Sequence, residues 1–158
     1  MSVRPRGGGP GETGSTLGGG KQPSPGRSVR ADESHAPRQV SIELANSAKS
    51  VPLARSLVTD FLRRNGRESA VDVASLLTSE LVTNAVVHGA TTVGLSATLI
   101  NHRLRVEASD RSSTVPVVRR ARAGDTDGRG LVVVASLATE WGYEMRPTGK
   151  SVWFELAT

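Results

Sequence analysis

Residues Ala70 to His88 form the most apolar helix candidate in the chain, and three polar residues cut across it at i, i+4 and i+8: Glu80, Asn84 and His88. At roughly 100° per residue, Leu76 and Val87 fall on one side of this stripe and Ala74, Leu81 and Ala85 on the other. Val73 and Leu77 lie within it. The stripe is therefore expected on the face that packs against the rest of the protein. A carboxylate there is costly unless a charged or hydrogen-bonding group meets it. Two readings stay open. Glu80 and Asn84 are either functional, or a structural pair with Arg103 or Arg105 as the partner of Glu80. His88 has its own plain reading, because an imidazole near a helix C-terminus is favoured by the helix dipole alone.

The composition restricts what such a stripe can do. With 158 residues the chain suits one domain with a proper core. It has no cysteine, which removes disulfides, thiolate nucleophiles and cysteine metal sites. Its histidines, His35, His88 and His102, are too scattered to suggest a metal cluster. No run of 18 apolar residues and no signal peptide is apparent, so a cytoplasmic protein without membrane contact is expected. The net charge of +5 invites a nucleic-acid reading. The charge is spread out, however, and Trp153 and Phe154 belong to a strand-like run, so no direct nucleic-acid contact is expected.

The chain divides near residue 37. Nine of its seventeen glycines and five of its eight prolines lie in residues 1–37, where Val3, Leu17 and Val29 stand alone as large apolar residues. Such a segment cannot bury enough surface to offset its ordering entropy, and a disordered tail is expected there. Residues 38–158 read as globular. Gln39–Leu44 alternates like a strand, and Ser47–Asn65 reads as an amphipathic helix with Pro52 near its start and Gly66 as its stop. After the Glu80 helix, Thr92–Ile100 and Arg103–Ser109 flank Asn101-His102 as a hairpin. Val115–Val118 is a short extended piece or the start of a loop, and residues 119–128 are polar and small, hence a mobile loop. Leu131–Ala138 reads as a helix, and Trp141–Arg146 and Ser151–Leu156 as two closing strands. This order predicts an α+β two-layer sandwich, helices on a mixed, mostly antiparallel sheet.

Three segments stand out for their chemistry. The first is Glu80-Leu-Val-Thr-Asn84-Ala-Val-Val-His88-Gly89 on a helix. The second is Asp110 at a strand end, followed by Arg111-Ser112. A strand-terminal Asp is also a common turn former. The third is Asp127-Gly128-Arg129-Gly130-Leu131, opening a helix after the polar loop. Glycines at a helix mouth let backbone N–H groups approach a phosphate.

In this order the three segments resemble the ATP-binding domain of the GHKL superfamily, which includes gyrase-type ATPases, histidine kinases and anti-sigma-factor kinases. The resemblance spans roughly residues 40–157. The small size and the ending Gly149-Lys150-Ser151-Val152-Trp153-Phe154-Glu155-Leu156 look most like the bacterial anti-sigma-factor serine/threonine kinases. The resemblance implies a Bergerat-type fold, with ATP and Mg2+ as cofactors. By the same resemblance Glu80 is the general base, Asn84 the Mg2+ ligand and Asp110 the acceptor for the adenine amino group. His88 would border the pocket near the phosphates or the lid. Gly128, Arg129, Gly130 and Leu131 would sit at the phosphates, and Ser151 would line the adenine site. Arg119, Arg120, Arg122 and Arg129 lie in or beside the loop that would close over the nucleotide. The implied partners are a sigma factor and an antagonist protein phosphorylated on serine or threonine, with a homodimer as the usual state. A nucleotide-binding interaction module without kinase activity is the alternative. The sequence departs from the family at Ser112 and Thr114, where the motif has glycines.

Overall fold

A computed structural model describes residues 37–89, 91–116 and 130–158. The 1–37 tail expected from composition falls outside the described residues but for its last position. So do the loop at 119–128 and the second half of Val115–Val118, whose Val115 and Pro116 have no regular structure.

The elements run β1 (Arg38–Ala45), α1 (Ser50–Arg64), a short 3-10 turn (Glu68–Ala70), α2 (Val71–His88), β2 (Thr92–Ile100), β3 (Arg103–Asp110), α3 (Gly130–Leu137), β4 (Glu140–Arg146) and β5 (Gly149–Ala157). Apart from the 3-10 turn, each matches an expected segment, with ends unmoved or shifted by up to three residues. Pro52 sits in the first turn of α1, where its missing N–H breaks no helical bond. Gly66 ends that helix with φ 67, and the N–H groups of Gly66 and Arg67 donate back to the carbonyls of Arg63 and Leu62. That pattern is a Schellman C-cap, which requires the left-handed residue glycine supplies without strain. Asn101 turns the β2–β3 hairpin with φ 54, a conformation asparagine tolerates better than most residues.

The five strands form one sheet in the order β1-β2-β3-β5-β4, and all four pairings are antiparallel. No parallel pair is present among the described residues, so the sheet is simpler than the mixed one expected. Helices α1 and α2 pack on each other and α3 packs on α2. Their apolar side chains meet one face of the sheet, where Leu95, Leu104, Val106 and Phe154 are fully buried. Alternation then fixes every neighbour. On β3, Leu104, Val106, Ala108 and Asp110 turn inward, and Arg103, Arg105, Glu107 and Ser109 turn to the face that carries no described helix.

Residues 68–88 are long and apolar enough to cross a membrane by composition, yet α2 is held inside this fold. Its buried residues, among them Ala74, Leu77, Leu81, Val82 and Ala85, pack between α1, α3 and the sheet.

Candidate functional site

The polar stripe of α2 is not buried as its wheel position suggested. Leu76 and Val87, on one flank, are 43% and 63% exposed, while Ala74, Leu81 and Ala85 on the other are buried. The stripe is the shoreline between them. Glu80 and Asn84 are half-buried and His88 is exposed. The helix is apolar on more than half its circumference, so periodicity alone could not say which apolar flank faces inward.

Glu80 makes no hydrogen bond or ion pair with any other described residue, and neither does the Asn84 side chain. The structural reading of Glu80 as the partner of Arg103 or Arg105 fails for a definite reason. Both arginines lie on the opposite face of the sheet, where they pair with Glu155, and Arg105 also stacks 3.9 Å over the Trp153 ring. Glu80 instead faces the start of α3. A methyl group on Gly130 would come within 2.6 Å of Glu80 Oε2, so the glycine leaves the carboxylate its place.

The other end of α2 meets Asp110. A Cβ on Gly89 would strike the Ala85 carbonyl oxygen and approach Asp110 Cβ to 3.2 Å. Asn46 Nδ2 donates to the Gly89 carbonyl at 2.8 Å, which pins this corner. Along the helix, Glu80 and Gly89 are separated by about 13 Å. The site is thus an elongated one: carboxylate and α3 mouth at one end, Asn84 between, Asp110 at the other.

Asp110 closes β3 and is nearly fully buried. One oxygen, Oδ1, accepts the Ser112 backbone N–H at 2.7 Å and the Lys150 ammonium at 3.0 Å. Asp110 is therefore the turn former that its strand-end position suggested, and more. Oδ2 has no hydrogen-bond partner among the described residues. Ser112 repeats the device, its Oγ accepting the Thr114 N–H at 3.1 Å. Two successive side-chain-to-backbone bonds stand where the family motif has glycines.

Lys150 was not singled out in the sequence, and Ser151 was. The register explains the difference. Asp110 stands directly opposite Lys150 on β5, so these two share the helix-covered face, with side chains only 2% exposed. Ser151 is one residue on and faces the other way, where its hydroxyl donates to Glu107. Ser151 thus does not stand beside Asp110. A slip of one residue along a strand reverses the face.

His88, the last residue of α2, precedes the Gly89 that packs on Asp110, so it lies at the Asp110 end rather than beside Gly130. Leu131 is buried in the core. Gly128, Arg129, Arg119, Arg120 and Arg122 are outside the described residues. No group of three or more His, Cys, Asp or Glu able to hold a metal occurs among the described residues. A groove of about 920 Å³ lies on the sheet face away from Glu80 and Asn84. Small residues such as Gly94, Ser96 and Ser109 line it, and Asp110 and Lys150 are also part of its wall.

A sequence profile of the histidine kinase-like ATPase domain matches residues 44–156. The chain belongs to the histidine kinase-like ATPase family. Its fold also matches a crystal structure of the RsbU and RsbW domains of Rv1364c from Mycobacterium tuberculosis, with a TM-score of 0.59 and 20% identity. That match covers 76% of this chain and 32% of the other, so this ATPase domain spans about a third of the protein it resembles. No curated protein sequence matches it. The matched stretch runs from the end of β1 to Leu156 in β5 and includes Glu80, Asn84, Asp110 and Gly130.

Proposed function

We propose that this histidine kinase-like ATPase domain binds Mg·ATP and works as an anti-sigma factor with protein serine/threonine kinase activity toward an antagonist protein. One observation carries the reading. Glu80 and Asn84 lie one turn apart on the half-exposed face of α2, without partners among the described residues, between Gly130 and the Asp110 corner. A half-buried carboxylate and carboxamide without partners among the described residues fit a site for hard cations and phosphates, which are met by oxygen donors and retained water.

Bound Mg·ATP supplies the phosphoryl group that is transferred. Asn84 would offer its amide oxygen to Mg2+, and Asp110 Oδ2 would accept the adenine amino group. Glu80 would take the proton of the attacking serine or threonine hydroxyl as its oxygen bonds to the terminal phosphorus, and the bond to the ADP leaving oxygen breaks. The sigma factor and the antagonist enter by resemblance, through the ending Gly149 to Leu156 and the small size of the domain. A homodimer and a cytoplasmic setting belong to the same reading.

The test is calorimetry of Mg·ATP on the wild type, Asp110→Asn and Asn84→Ala, followed by phosphotransfer assays with candidate antagonist proteins. Micromolar binding that both substitutions weaken supports the site. No binding by folded protein sinks it.

A second reading is a nucleotide-binding partner module without kinase activity. The Ser112 and Thr114 ladder favours it, because side chains stand where glycines would let a base approach closely. ATP binding without transfer to any antagonist would select this reading.

A further inference from the structure

The Asp110–Lys150 pair is more than the acceptor that the adenine site calls for. Both side chains are 2% exposed, and a buried ion pair of this kind is seldom a net gain in stability over apolar residues of the same volume. The two are held by strand register as direct cross-strand neighbours. Nζ has three N–H donors, and among the described residues it spends one, on Asp110 Oδ1. Ser112 N–H occupies the same oxygen. The carboxylate is clamped through Oδ1, which leaves Oδ2 as an acceptor beside an ammonium with donors to spare.

Resting on the nucleotide-binding reading above, we propose that Lys150 is the second half of the base-recognition site and sets its specificity. An adenine ring presents a donor, the 6-amino group, next to an acceptor, ring nitrogen N1. Oδ2 of Asp110 takes the first and Nζ of Lys150 meets the second. Guanine reverses the pattern, setting O6 against the carboxylate and an N–H against the ammonium. Lys150 also positions the acceptor, since its bond to Oδ1 fixes which oxygen faces the base. The backbone supports this close approach. Gly149 has φ 148, and a Cβ there would collide with the Asp110 carbonyl oxygen, so only glycine lets β5 deliver Lys150 at that point.

The experiment compares ATP with 1-deaza-ATP, which lacks only the N1 acceptor, by calorimetry on the wild type and on Lys150→Met. The wild type is expected to bind ATP about tenfold more tightly than the analogue, the value of one hydrogen bond to a charged donor. In Lys150→Met ATP binding weakens and the ratio falls to about one. A purely structural Lys150 would weaken both nucleotides alike and leave the ratio unchanged, which overturns the proposal. A wild-type ratio near one also overturns it, and needs no variant to fold. If folded wild type binds neither nucleotide, the nucleotide-site reading itself fails and this inference with it.

Discussion

Gly130 lies so close to Glu80 that a methyl group in its place would come within 2.6 Å of the Oε2 atom. The first residue of α3 and the middle of α2 are therefore fitted to each other around a carboxylate. Gly130→Ala is expected to displace that carboxylate, because Glu80 is half-exposed and its side chain can swing away. Phosphotransfer should fall at least tenfold while the unfolding free energy changes by about 1 kcal/mol or less. Parallel activity assays and urea titrations check this.

Glu80→Gln keeps the shape and removes the proton acceptor. ATP affinity should stay within a factor of about three, and transfer to the antagonist should drop by about 10² to 10⁴. Equal loss of both would assign Glu80 to binding instead.

Asn84→Ala is expected to weaken nucleotide binding in the presence of magnesium and to change little when the metal is chelated. The comparison, made on one protein with and without EDTA, separates a metal ligand from a residue that merely shapes the helix.

Lys150→Met leaves the Asp110 carboxylate buried without its counter-charge. Removing one partner of a buried pair costs about 3–5 kcal/mol. Lys150→Met with Asp110→Leu should recover most of that stability, since both charges are then gone. Chemical denaturation of the wild type, Lys150→Met, Asp110→Leu and the double variant closes the cycle that gives the coupling.

Ser151→Ala removes a hydroxyl that bonds Glu107 on the far face of the sheet. ATP affinity should be unchanged within a factor of about two. A larger loss would mean that the two sheet faces communicate.

Much of this architecture was legible in the residues. The alternation of Leu104, Val106 and Ala108 gave β3 and its inward face, and Asp110 fell on that face by continuing the same count. Pro52 and Gly66 marked α1 because each acts through local backbone geometry. What failed required knowledge of partners. Ser151 looked suited to the base site for its hydroxyl, but a strand residue's face depends on register with its neighbour, which no single segment carries. The stripe on α2 failed similarly: with apolar residues on both flanks, only α3 and the sheet decide that Leu76 and Val87 face out. Lys150 escaped notice because a lysine in a strand reads as solvated until Asp110 is seen across from it. At Asp110 itself the two sequence readings proved compatible, as one oxygen makes the turn and the other remains available.

Glu80 and the Gly89 corner belong to one uninterrupted helix, and this makes α2 a ruler. A residue inserted between them would rotate one end against the other by about 100° and lengthen the span by about 1.5 Å. Gly130 would then face the wrong side chain, or Asp110 would lose its glycine. Length variation should thus be tolerated in the connections on either side of α2 and not between these two positions, so the separation of the Glu80 carboxylate from the Asp110 corner is written into the pitch of a helix rather than left to a loop.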